Sequence, residues 1–315
     1  MSKETDFQIK DGCLEKYLGQ DTAVVIPDGV TSIGTRAFDD CATLTRVVIP
    51  AGVTSIGEAA FKKCPSLTEI KLPDGLESIG DYAFTGCAAL KNAALPDSVK
   101  TIGSFAFSGC GSLTDVALPD GIESIGDYAF LNCGRQTHIF LPGSVKRLGR
   151  GAFDFFGAES IRVASDNPVY DSREDCNAVV ETATNTLLCG CANTVIPNTV
   201  TSIGRAFGGC ADLTEIAIPD SVTSIGRLAF SWCRGLRAVT IPDSVTEIDE
   251  GAFDQCAGLT SVTIGSGVKR IAMAAFQLCD NLTDVYYGGS EQEWNAIDID
   301  VGNDPLFNAN IHFNA

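Results

Sequence analysis

Residues 64–86 read Cys64-Pro65-Ser66-Leu67-Thr68-Glu69-Ile70-Lys71-Leu72-Pro73-Asp74-Gly75-Leu76-Glu77-Ser78-Ile79-Gly80-Asp81-Tyr82-Ala83-Phe84-Thr85-Gly86, and Cys87 begins the same pattern again. Side chains alternate across a strand, so Ile70 and Leu72 share a face, and Leu67 joins them on entry. Pro73-Asp74-Gly75 supplies a turn, because Pro presets φ, Asp bonds its own backbone and Gly accepts positive φ. Leu76 and Ile79 predict a second short extended piece ending at Gly80. Asp81 then reads as the cap of a short helical turn over residues 82–86, which drops Phe84 into the core.

Working outward, the column phenylalanines fall at 38, 61, 84, 107, 130 and 153, then at 207, 230, 253 and 276, with a spacing of 23 inside each group. Three residues after each Phe stands a cysteine, from Cys41 to Cys133 and from Cys210 to Cys279, except where Phe156 takes the place. Hydrophobe-Pro pairs such as Ile49-Pro50 and Ile241-Pro242 keep the same register. A unit of this length cannot bury both of its faces, so the units must stack, each covering its neighbour's apolar edge.

The repeat resembles the BspA-like leucine-rich repeat family, over nearly the whole chain. That resemblance implies an α/β solenoid, a right-handed curved coil with short strands and short helical turns. It also implies adhesion or protein binding, often on cell surfaces, with no enzymatic activity attached to the repeat.

The organisation expected is a β-hairpin cap and a first block of repeats over 1–156, an irregular insertion with a β-hairpin over 157–197, a second block over 198–284 and a C-terminal cap over 285–315. The insertion is read as an internal copy of the N-terminal cap, or else as an ornament on one coil. The second block starts one residue short, since Ile203 to Phe207 is one residue closer than Ile225 to Phe230. In the C-terminal cap, Ser290 and Glu293 fit a capping box that starts a short helix carrying Trp294 over the open core end.

The net charge is −18, from 40 acidic and 22 basic residues. Nucleic-acid affinity comes largely from Lys and Arg displacing counterions, so such a surface repels phosphate backbones, and likewise anionic lipid. Nucleic acid and membrane insertion are therefore not expected. The N-terminus carries no signal-peptide pattern, so the chain as written reads as cytoplasmic, whereas the resemblance implies a secreted or surface protein once a leader is removed.

Catalytic chemistry is sparse. The two histidines, His138 and His312, lie far apart in sequence. Pairing Cys133 with His138 would need a reactive thiol from the core column, where a buried thiol is inert. Cys189, Cys191 and Cys176 match no standard zinc spacing. The acidic run Asp298, Asp300, Asn303 and Asp304 fails the calcium-loop pattern. No enzyme, cofactor or metal is expected. The column cysteines are read as small buried hydrophobes in the thiol form.

Binding is expected on the concave strand face, through the residues pointing away from the core. These are Arg46, Glu69, Asp115, His138 and Glu215 in one row, and Lys71, Phe140 and Tyr286 in the other. Trp232, one residue ahead of the cysteine column, is a further candidate on the opposite side. Aromatic and Arg side chains are favoured because interface hot spots concentrate in them. The expected function is a non-catalytic scaffold for an unidentified protein, with a glycan-binding surface as the alternative.

Overall fold

The computed structural model describes residues 4–114, 116–134 and 138–315, and these form two compact units. The first comprises residues 1–156 and 164–168, and the second 157–163 and 169–315. Each unit is a stack of coils with a long-strand face, a short-strand face and a turn side.

In the first unit the long-strand face pairs Ala23–Val25, Arg46–Val48 and Glu69–Lys71 in parallel, with Val24, Val47 and Ile70 in register. In the second it pairs Ala238–Ile241, Ser261–Ile264, Asp284–Tyr287 and Asn310–Phe313. The short-strand face repeats two-residue strands such as Ser55–Ile56 and Ser78–Ile79, again in parallel. One coil thus follows the next by backbone hydrogen bonds, the only way a thin parallel sheet can satisfy its amides.

The column side chains fill the interior. Rings from Phe38 to Phe153 stack with centroids 4.8 to 5.6 Å apart. Those from Phe207 to Phe276 stack at 4.9 to 5.1 Å. Such offset pairs add about 0.5–1.5 kcal/mol each beyond area burial.

The cysteine column does more than fill space. Cys64 Sγ donates to the carbonyl oxygen of Phe38 at 3.2 Å, Cys87 to Phe61 at 3.1 Å and Cys110 to Phe84 at 3.3 Å. Cys233, Cys256 and Cys279 repeat the contact in the second unit. A small apolar group with one weak donor suits a site that is buried yet holds a carbonyl.

Among the described residues the helical turns expected after each Ile-Gly are absent, and the turn side is a β-type arrangement instead. Within residues 82–86 the amides of Tyr82, Phe84 and Gly86 donate to Ser104, Ala106 and Ser108 of the next coil at 2.7 to 2.8 Å. Only Ala83 and Thr85 bond inside their own coil. A helix would turn these amides back along its own axis, leaving none for the neighbour. The alternation needs two residues of positive φ per coil, such as Tyr82 (58°) and Gly86 (77°), or Leu228 (57°) and Trp232 (64°). Asp81 is accordingly no helix cap, because its Oδ1 accepts from the Ser104 amide of the next coil at 2.6 Å. The fold is thus a β-solenoid, not an α/β one. Among the described residues helix is confined to short pieces, chiefly Glu291–Trp294 and Asp304–Asn308 in the C-terminal cap.

Two hairpins introduce the stacks. Phe7–Lys10 pairs antiparallel with Cys13–Tyr17, and Ala178–Glu181 pairs antiparallel with Thr186–Gly190. Each has one register shift, and each hands over to a parallel coil through Leu14 against Ile33 or Leu187 against Ile203. At the other end Ser290 and Glu293 form the capping box, and Trp294 is buried edge-on against Tyr287 at 5.3 Å.

Candidate functional site

Side chains that leave the long-strand faces form the candidate surfaces. In the first unit the parallel register sets Arg46 beside Glu69, with Arg46 Nη2 3.5 Å from Glu69 Oε1, and Lys71 follows on the same strand as Glu69. All three are exposed. Exposed pairs of this kind are worth about 0–1 kcal/mol, so they can exchange partners at little cost. His138 and Phe140 leave the strand His138–Leu141 on the same side as each other, and the Phe140 ring is 50% exposed. Asp115 lies outside the described residues.

In the second unit the register places Thr240, Thr263, Tyr286 and His312 in one row, with Ala238, Ser261, Asp284 and Asn310 beside it. Tyr286 is 37% exposed and stacks on the His312 ring with centroids 4.7 Å apart. His312 Nε2 lies 2.8 Å from Asp284 Oδ1. That contact, helped by the Thr283 hydroxyl, holds the Asp284 carboxyl below the usual carboxylate range. Tyr286, Asp284 and His312 are thereby one preorganised group. Sequence reading named Tyr286 alone, because the strand pairing of Asn310–Phe313 that delivers His312 lies beyond the last full repeat.

Glu215 is exposed at the rim of an open depression of about 720 Å³ on the same face, lined also by Val195, Ala217 and Thr240. Trp232 is elsewhere. It sits on the turn side, half-buried at φ 64°, with the Arg234 guanidinium 4.5 Å above its ring. The structure therefore gathers Arg46, Glu69 and Lys71, and separately Asp284, Tyr286 and His312, while Trp232 joins neither set.

Sequence reading missed a second aromatic feature on the turn side. Tyr82, Phe105 and Tyr128 stack at 5.1 and 4.9 Å, half-buried, with Lys62 Nζ 5.2 Å from the Tyr82 centroid. The signal is an aromatic two residues before Phe84, Phe107 and Phe130, in a stretch whose local pattern reads as a helical turn.

The thiols offer little nucleophilic chemistry. Burial pushes Cys133 and Cys279 up to about 12. Cys210, half-buried at the start of the second column, rises to about 12 and Cys41 to about 11. Cys176, Cys189 and Cys191 are buried, and Cys191 Sγ lies 3.6 Å from the carbonyl oxygens of Glu159 and Asn177. Among the described residues no group of three or more His, Cys, Asp or Glu side chains is placed to hold a metal ion.

Stacked 23-residue coils of this kind, with outward rows on a parallel sheet, define a leucine-rich repeat solenoid. Comparison with known families places it further: the BspA type Leucine rich repeat region matches residues 8–76, 54–172 and 187–296, and the chain belongs to that family. Among solved structures it is similar to a leucine rich cell surface protein from Faecalibacterium prausnitzii, with 26% identity, TM-score 0.64 and coverage of 94% of this chain and 96% of that one. The fold is also that of a leucine-rich repeat protein from Eubacterium ventriosum, at 24% identity, TM-score 0.59 and coverage of 87% and 77%. It is shared by the pneumococcal vaccine antigen PcpA, at 19% identity, TM-score 0.70 and coverage of 96% and 90%. No curated protein matches the sequence.

Proposed function

We propose that the chain is a non-catalytic scaffold that binds another protein through its long-strand faces, in the manner of a cell-surface adhesion or recognition module. The observation that carries this reading is the contrast within each strand. Inward positions repeat Leu, Ile or Val in most coils, with Ala93 and Tyr287 as exceptions, whereas the outward rows present Arg46, Glu69, Lys71, His138, Phe140, Glu215 and Tyr286 on a backing of stacked core rings. Large exposed aromatics on a preorganised sheet are the groups from which interface hot spots are built. The similarity to a bacterial cell surface protein supports the same reading.

The test is capture of surface proteins from candidate host or neighbouring cells by the intact chain and by a variant carrying Arg46→Glu, Lys71→Glu, Phe140→Ala and Tyr286→Ala. Loss of a specifically captured protein is expected, with the melting curve unchanged. Equal capture by both would move the interaction off these faces.

A glycan ligand is the second reading, favoured by one feature. Tyr286 stands as an aromatic wall beside the Asp284 carboxylate and the Ser261 and Thr263 hydroxyls, a combination able to stack on a sugar ring and accept from its hydroxyls. A glycan array discriminates: binding lost in Tyr286→Ala and Asp284→Ala supports the sugar, while a blank array removes it.

A further inference from the structure

The parallel long-strand sheet of the second unit is interrupted at its start. Successive coils are normally sewn together by amides reaching the preceding coil, as Thr260 reaches Arg237 O at 2.8 Å and Thr283 reaches Thr260 O at 2.9 Å. Residues 193–196 make no such bond forward. Their contacts run backward instead: Val195 N donates to Cys176 O at 3.1 Å, Thr194 Oγ1 to Asn177 O at 2.7 Å, and Asn193 Nδ2 to Glu159 O at 3.1 Å. Among the described residues no backbone hydrogen bond joins 193–196 to 214–218.

Residues 215–217 are thus paired on one side only, through the parallel bridge of Ala217 with Thr240. In a parallel pair one residue turns its N–H and C=O toward the partner strand and the other turns them away. The bonds of Ser261 N to Arg237 O and Gly288 N to Ile264 O show that in this sheet the register of Glu215 and Ala217 faces the preceding coil. Glu215 and Ala217, both exposed, accordingly point their amides and carbonyls into the gap. The gap is the depression of about 720 Å³. On the other face the same coils are joined normally, with Thr223 N on Thr201 O at 2.9 Å, so the opening is a local seam and not a break in the stack.

An unpaired strand edge inside a sheet is a template for another strand. We propose that this seam accepts an extended segment of a partner polypeptide as an added β-strand; the proposal rests on the protein-binding reading and assigns its mode and place. The lining selects the chemistry of the segment. Ala217 and Ala238 are small enough to let a backbone approach, and Val195, 73% exposed, offers an apolar side wall. Glu215 is the one ionisable side chain of the lining, on a chain of net charge −18. The fitting segment is therefore extended, rich in β-branched residues, and carries a Lys or Arg opposite Glu215.

The probe is a fluorescein-labelled, acetylated and amidated hexapeptide of sequence threonine-valine-lysine-valine-threonine-valine, titrated into the intact chain by fluorescence anisotropy. Saturable binding is expected, with slowed amide exchange at 193–196 and 214–217. Ala217→Pro, which removes the inward N–H of the edge, should weaken it at least tenfold. Glu215→Lys should weaken it severalfold and abolish its salt dependence. Because Ala217→Pro could perturb folding, the probe is also N-methylated at one or the other alternate set of residues, leaving the protein unchanged: one set should lose binding and the other keep it. Equal binding by both methylated probes, or full binding by a folded Ala217→Pro, would overturn the strand mode. Protection at 284–287 in place of the seam would overturn the seam but keep the scaffold reading. No binding at all would overturn the seam, and the scaffold reading would then be decided by the Phe140 and Tyr286 variants. Self-association lost in Ala217→Pro, without probe binding, would assign the seam to a second copy and overturn the proposal.

Discussion

After the N-terminal hairpin the chain lays Ala23–Val25 in register against Arg46–Val48; after the second hairpin, residues 193–195 stand apart from 215–217. The two places share a local sequence pattern, Val25-Ile26-Pro27 and Val195-Ile196-Pro197, and an exposed valine, 64% and 73% accessible. They differ by one residue of spacing. Val25 and its partner Val48 are 23 apart, while Val195 and Ala217 are 22 apart. The missing residue lies in the turn before Phe207, the one column coil in which the position two before Phe, Arg205, lacks positive φ.

The shortened turn also changes what the first ring meets. In the first unit Phe38 stacks on Tyr17 at 5.1 Å. In the second, Phe207 lies so close to Gly190 that an added Cβ would meet its ring. Both hairpins nonetheless send the same amide forward, Tyr17 to Ala37 and Gly190 to Ala206. At this coil, one residue short, the core and the short-strand face stay closed while the long-strand face is open.

The largest effect should come from removing a column ring. Phe107→Ala in the first unit and Phe253→Ala in the second should each cost about 3–5 kcal/mol. In stacked repeats that damage stays with the neighbouring coils. Hydrogen exchange across the whole chain should show faster amides in the mutated unit alone; a uniform acceleration of both would deny that the units melt separately.

Next in size is repair of the seam. Inserting one alanine between Arg205 and Ala206 restores the spacing of 23 and should let two or three hydrogen bonds form between 193–196 and 215–217. At about 0.5–1.5 kcal/mol each, the gain is about 1–3 kcal/mol. Slowed exchange at these amides with a raised melting temperature is the expected outcome. Unaltered exchange would mean that the backward bonds of Asn193, Thr194 and Val195, and not coil length, hold the seam open.

The smallest effect per residue concerns the thiols. Folding raises Cys133 and Cys279 from 9.0 to about 12 by burial. A raised value means that the stability they contribute is complete below about pH 9 and is lost as pH climbs towards the folded value, because the unfolded thiol ionises first. At pH 10 the loss is on the order of 1 kcal/mol per thiol. Melting temperatures should fall above pH 9 in both units, and Cys133→Ala or Cys279→Ala should flatten the fall in its own unit. A slope unaffected by either substitution would place the titration elsewhere.

Most of the architecture was legible because burial writes itself into columns. Phe84, Cys87, Leu67, Ile70 and Ile79 recur at one spacing, and only stacking explains that. The turn side was misread because Asp81-Tyr82-Ala83-Phe84 satisfies the local rules for a helix start. The choice between helix and coil-to-coil bonding is made by the neighbouring coil, not by the residues themselves. Glycines at 86, 109, 151, 209 and 251, all of positive φ, were the available hint. Tyr82, Phe105 and Tyr128 occupy the same conformation and concealed it. Of the candidate surfaces, the outward rows followed directly from strand alternation. The Tyr286, His312 and Asp284 group and the seam did not, since each depends on which strands pair across the ends of the regular repeat.

The turn-side bonds from Tyr82 to Ser104, Phe84 to Ala106 and Gly86 to Ser108 run between main-chain atoms only, at a constant offset of 22 residues. A gene segment encoding one whole 23-residue period can therefore be duplicated or excised by recombination within a block, and the new neighbours meet with donors and acceptors already matched. Such a lineage can lengthen or shorten its outward rows by whole periods, whereas a change of one codon breaks the period at the coil that carries it.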